Sequence, residues 1–127
     1  MRFRGYRMLD RGLRRESTRP DAFSDEDIAA YKDALSQPGA LTAAINYYRA
    51  AVRRNPFESA RMLRQIDVPA LLIWGEQDPY LGIELTEGLE RWVPGIRVER
   101  IPEASHWVQV DAAERVNELM IEFLREG

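Results

Sequence analysis

The chain has 127 residues, no cysteine, one histidine and a formal net charge of −3, which is one domain's length at most. The lack of cysteine excludes disulfide scaffolds, thiolate zinc sites and thiol nucleophiles, and one histidine cannot build an imidazole metal cluster. No apolar run approaches the ~18 residues of a membrane span and the N-terminal stretch has no signal-peptide core, so a soluble, cytoplasmic protein is expected.

The charge is unevenly spread. Residues 1–64 hold 13 Lys and Arg against 8 Asp and Glu, a surplus of five, whereas residues 65–127 hold 5 against 13, a deficit of eight. The arginines are interleaved with acids and have no regular aromatic partners. That pattern fits a solvated helical surface rather than a nucleic-acid patch. Lys32 is the only lysine, a bias expected of a GC-rich bacterial gene.

In chain order, residues 1–21 have helical propensity without a clean cap. Ser24, three residues before Asp27, forms an approximate capping box for a helix that runs to about Ser36 and stops at "QPG". A second helix, "ALTAAINYYRAAVRR", places Leu41, Ala44, Ile45, Tyr48, Ala51 and Val52 on one face. Asn55-Pro56 opens a short helix to about Gln65. "ALLIWG" then reads as a strand covered on both faces, as in a parallel sheet. "GIELTEGLERW" reads as a helix and "IRVERI" as an edge strand. Asp111 and Glu114 start a last helix whose buried stripe is Val116, Leu119, Met120, Phe123 and Leu124. The pattern from Pro69 is β-α-β-α, and everything before it is helical. Two parallel strands alone do not make a stable sheet, so the end of a larger α/β domain is expected.

In open α/β sheets the functional side chains gather at the carboxyl ends of the strands. Asp78 follows the first strand and His106 the second. On adjacent parallel strands the two project from one edge, where a carboxylate can fix the tautomer of an imidazole and stabilise its protonated form. Each residue alone has an ordinary alternative: Asp before Pro is a turn residue, and a histidine after a strand is a hydrogen-bonded loop residue. Glu76 competes with Asp78 in the same loop, and Asp111 is expected to cap the last helix. Ser105 is not a nucleophile candidate, because it points away from His106 and the Gly-x-Ser-x-Gly elbow is absent. Tyr48, on the apolar face of its helix, reads as a buried tyrosine whose hydroxyl needs a partner.

Taken together, "LLIWGEQDPYL", "IPEASHWVQVDAAERVNELMIEFL" and "LTAAINYYRA" resemble the C-terminal part of α/β-hydrolase-fold epoxide hydrolases. The resemblance covers nearly the whole chain. It implies the fold class α/β, with a partial helical cap region over residues 1–66 and the C-terminal part of the hydrolase core over residues 67–127. It also implies that Asp78 is the charge-relay acid, His106 the general base and Tyr48 one of two cap tyrosines that protonate the epoxide oxygen. In the mechanism that the resemblance implies, an aspartate nucleophile opens the epoxide to an alkyl-enzyme ester, and water activated by the His–Asp pair releases a vicinal diol. Neither metal nor organic cofactor is required.

No stretch of the chain resembles the family's nucleophile, oxyanion-hole segment or first cap tyrosine. A truncated portion without turnover of its own is therefore expected. Its expected partners are a small-molecule epoxide and either a complementing N-terminal half or a second copy joined through an exposed strand edge; neither nucleic acid nor membrane is among them. The alternatives are a haloalkane or haloacid dehalogenase, a serine-dependent relative, and an inactive remnant acting as an interaction fragment.

Overall fold

The computed structural model describes residues 6–53 and 63–126. Three helices come first: α1 (Arg7–Glu16), α2 (Asp25–Ser36) and α3 (Ala40–Arg53). Strand β1 (Ala70–Gly75) is followed by two 3₁₀ turns, Ile83–Thr86 and Leu89–Arg91. Strand β2 (Ile96–Ile101), α4 (Val108–Asp111) and α5 (Ala113–Glu126) complete the order.

Helix α2 begins as its sequence dictates. The Ser24 hydroxyl accepts from the Asp27 backbone N–H at 3.1 Å, and the Asp27 carboxylate accepts from the Ser24 N–H at 2.9 Å. Two of the four orphan donors of the helix start are thus satisfied. Leu13, Phe23 and Ile28 form a small core joining α1 to α2, with Trp107 and Val110 packed against it. Helix α3 buries no residue. Its Ile45, Tyr48 and Val52 lie on the surface, so the face expected to be apolar and covered is exposed here. The helix expected over residues 55–65 falls mostly outside the described residues, and 63–65 are not helical.

β1 and β2 pair in parallel with Gly75 opposite Ile101, so both strands end at the same level. The expectation that β1 is covered on both faces is not met. Its residues before Gly75 are half-buried, because among the described residues it has a single neighbour strand and only part of its surface meets a helix. Ile101, Ala104 and Val116 make a second core with Ile73, Val108 and Ala112 around it. Arg97 on β2 pairs with Glu99 beside it and with Glu122 and Glu126 on α5.

Two further expectations are corrected. Residues 82–92 are not one helix. Gly88 takes a left-handed conformation, φ 64° and ψ 21°, between the two 3₁₀ turns, and each interior glycine costs a helix about 1 kcal/mol relative to alanine. The last helix occupies Ala113–Glu126, as expected, and the short α4 before it is set apart by Ala112, whose φ is −128° and ψ 45°. The stripe of the last helix is narrower than expected: Val116 and Leu119 are buried, whereas Met120 and Leu124 are exposed.

Candidate active site

Because the two strands end in register, the loops leaving them run side by side. They are tied to each other by backbone bonds. Glu76 N–H donates to the Ile101 carbonyl at 3.1 Å and Gln77 N–H to the Ala104 carbonyl at 2.9 Å. The Gln77 side chain adds a bond to the Pro102 carbonyl at 3.0 Å. Gly75 permits this approach, since a Cβ there would lie 2.1 Å from the Ser105 carbonyl oxygen and 2.5 Å from that of Ala104. No other residue type leaves that space.

Asp78 and His106 meet across these loops. Asp78 Oδ2 lies 2.7 Å from His106 Nδ1. Oδ1 accepts from the Tyr80 and Leu81 backbone N–H groups at 2.8 and 3.0 Å. This is a side-chain-built turn of the kind Asp-Pro favours. The Asp78 side chain is 7% exposed. Burial raises its pKa, but the bond to His106 and those from the two backbone N–H groups outweigh it, so the carboxyl sits below the ordinary aspartate value. An ionised carboxylate only accepts, so Nδ1 of neutral His106 carries the hydrogen and Nε2 is left to exchange a proton with water. The imidazole is 39% exposed. Geometrically this is an acid-oriented general base.

The competing residues separate clearly. Glu76 is exposed and holds the loop through its backbone alone. Asp111 does not cap the last helix. Its carboxylate turns inward, accepting from the Ser105 N–H at 2.8 Å and from the Ser105 hydroxyl at 2.5 Å. The Ser17 hydroxyl donates to its other oxygen. Burial raises the Asp111 pKa, but these bonds win and hold it low. Ser105 is fully buried in this network, facing away from the imidazole. Tyr48 is not brought to the pair: it is 71% exposed and its ring packs edge-on against Tyr47. The buried, partnered hydroxyl expected of it is absent, because nothing described in the structure covers that face of α3.

Sequence reasoning missed the residues around the imidazole. Tyr80 and Trp107 stand edge-on to the His106 ring at 5.5 and 5.8 Å between centroids. Both donate to Glu16 of α1: the Tyr80 hydroxyl to Oε1, and Trp107 Nε1 to Oε2 at 3.3 Å. Tyr80 is two residues from Asp78 and open to notice. Glu16 is far off in sequence and carries no local signal. Among the described residues no group of three or more His, Asp and Glu side chains is placed to hold a metal. No helix there is long and apolar enough to cross a membrane.

Known proteins resemble the chain along most of its length. The family model for the alpha/beta hydrolase fold matches residues 11–113, and the chain belongs to that family. It is 38% identical over 98% of its length to the AB hydrolase superfamily protein YfhM of Bacillus subtilis, covering 42% of that protein. It is 38% identical over 81% of its length to epoxide hydrolase 3 of Xenopus tropicalis, covering 27% of it. A Bacillus megaterium epoxide hydrolase in complex with an inhibitor superposes with a TM-score of 0.73 at 30% identity, over 97% of this chain and 44% of that one. The chain thus spans less than half the length of the relatives it resembles.

Proposed function

We propose that the chain carries the acid–base half of an epoxide hydrolase. The observation that carries this reading is the 2.7 Å bond between His106 Nδ1 and Asp78 Oδ2 at the ends of neighbouring parallel strands. Likeness to relatives named epoxide hydrolases favours epoxides over other hydrolase substrates. Residues 1–66 would then be cap and 67–127 core.

In this reading an aspartate supplied by a segment other than those described attacks an epoxide carbon. The carbon–oxygen bond breaks and the oxygen takes a proton from a cap phenol, Tyr48 being this chain's contribution; a poised donor stabilises the alkoxide as its charge develops. The product is an ester of the aspartate. His106 Nε2 then removes a proton from water, the hydroxide adds to the ester carbonyl, and Asp78 stabilises the imidazolium until the proton passes to the departing diol oxygen. The aspartic acid left behind gives up its proton, by way of water, to the phenolate, which restores both groups. The step needs no metal or cofactor. Tyr48 serves only if α3 is turned against the core by whatever brings the nucleophile, so the chain alone should not turn over.

The test is hydrolysis of styrene oxide, read as diol, by this chain alone and by the chain fused to the upstream half of a related epoxide hydrolase. The fusion should form diol, and His106→Gln should abolish it. Asp78→Asn should lower turnover by about 10²–10⁴-fold, since an amide neither fixes the tautomer nor balances the imidazolium. A folded fusion without diol would point to another hydrolase reaction, or to a remnant without activity.

A further inference from the structure

We propose that Glu16 is a positioning residue for His106, holding the two aromatic rings that flank the imidazole and thereby tying the helical region to the base. The role assumes that His106 is the base of the proposed reaction. The contacts that define it do not depend on the substrate.

Glu16 is the last residue of α1, 64 positions before Tyr80 and 91 before Trp107. Each of its carboxylate oxygens accepts from a different ring, and each ring stands nearly perpendicular to the imidazole, at 82° and 86°. Tyr80 is an exposed side chain on the loop that carries Asp78. Glu16 is what fixes its hydroxyl, and that bond is the largest cause of the raised Tyr80 pKa. Trp107 is held on its other side by Phe23, edge-on at 5.5 Å. The next residue in the chain repeats the pattern, as the Ser17 hydroxyl donates to Asp111, whose other oxygen holds Ser105 beside His106. Glu16 therefore clasps the histidine loop and the aspartate loop together, and Ser17 beside it fastens the histidine side.

Such partly exposed bonds add little to stability. Their consequence is geometric. With both rings fixed, the imidazole has its Nδ1 directed at Asp78 and little room to swing. Without Glu16, Tyr80 loses its tether and the imidazole can leave the acid.

The single histidine makes the test direct. In the full chain labelled with ¹⁵N and ¹³C in histidine, the two ring nitrogens of neutral His106 should be well separated, with Nδ1 protonated. Its Cε1 proton should be displaced by the neighbouring rings. Glu16→Ala should bring the two nitrogen shifts together, as the tautomers mix, and remove most of the ring-induced displacement. Glu16→Gln, which still accepts from one ring, should keep an intermediate position. Tyr80→Phe, which deletes only the hydroxyl, should move the signals in the same direction as Glu16→Ala. His106 resonances unmoved by Glu16→Ala and Tyr80→Phe would overturn the proposal. So would a Glu16→Gln variant indistinguishable from Glu16→Ala. If Glu16→Ala loses amide dispersion, the milder two variants decide. Because no turnover is read, failure here is separate from failure of the epoxide assignment.

Discussion

The region from β1 to α5 and the region from α1 to α3 are held in different ways. In the first, paired strands, a covering helix and two loops joined by backbone bonds leave Ala104, Ser105 and Leu119 almost without exposed surface. In the second, burial is confined to Leu13, Phe23 and Ile28, and α3 presents Tyr47, Tyr48 and Val52 to solvent. The acid–base pair itself belongs wholly to the first region, at the strand ends. The second region reaches the loops of the pair through Phe23, Glu16 and Ser17 at the histidine side and through Glu16 to Tyr80 at the aspartate side.

Phe23→Ala should break that contrast most strongly. The ring packs edge-on to both Trp107 and Tyr31, and truncating a buried phenylalanine costs about 3–5 kcal/mol. Amide exchange in α1 and α2 should accelerate while β1 and β2 keep their protection. Equal loss in the strands would mean that the two regions unfold as one unit. Gly75→Ala attacks the other side. The added carbon meets two backbone oxygens rather than a flexible side chain, and overpacking of that kind costs about 1–3 kcal/mol. Here the strand ends should lose protection first and the His106 resonances should shift, with the midpoint of urea unfolding as the measure.

Acid acts on both regions, because carboxylates held low lie on the strand side and its seam, at Asp78 and Asp111, and on the helical side, at Asp10 and Asp27. Asp78 and Asp111 both have folded pKa values below the ordinary one. Their contribution to stability is whole above the unfolded aspartate value of about 4. It is lost as the pH falls below that and through the depressed folded values. Urea midpoints should therefore fall below about pH 4, and Asp111→Asn should flatten part of the fall. An unchanged slope in that variant would show that Asp111 is not one of the groups responsible.

The strands, their parallel pairing and the placing of Asp78 and His106 at one edge were legible because each rests on a local pattern: an apolar run, a Gly or Pro boundary, and a position after a strand. What was not legible depends on contacts across the chain. Tyr48 has the helical spacing of a buried residue, but spacing does not tell whether anything covers that face. Asp111 has the look of a cap, yet its carboxylate is claimed by Ser105 and Ser17, and the Ser17 bond spans 94 positions. Glu16 reads as one more acid among arginines until the fold brings Tyr80 and Trp107 to it. The break of residues 82–92 into two turns was within reach, since the interior Gly88 argues against a continuous helix.

The smallest expected effect concerns α2 alone. The Ser24 side chain satisfies the Asp27 N–H, and Asp27 returns the bond to the Ser24 N–H. This contact also pulls the Asp27 carboxyl below its ordinary pKa. Ser24→Ala leaves that backbone donor to water and should cost about 1 kcal/mol. Because Ser24 directly follows Phe23, frayed first-turn residues could loosen the Phe23 ring against Trp107. Comparing Ser24→Ala with Phe23→Ala by amide exchange separates the two. If the cap acts only locally, protection falls in the first turn of α2 and the Trp107 indole resonance stays in place. If that resonance moves as it does in Phe23→Ala, the start of α2 is part of the seam, and the helical region depends on its cap to reach the histidine loop.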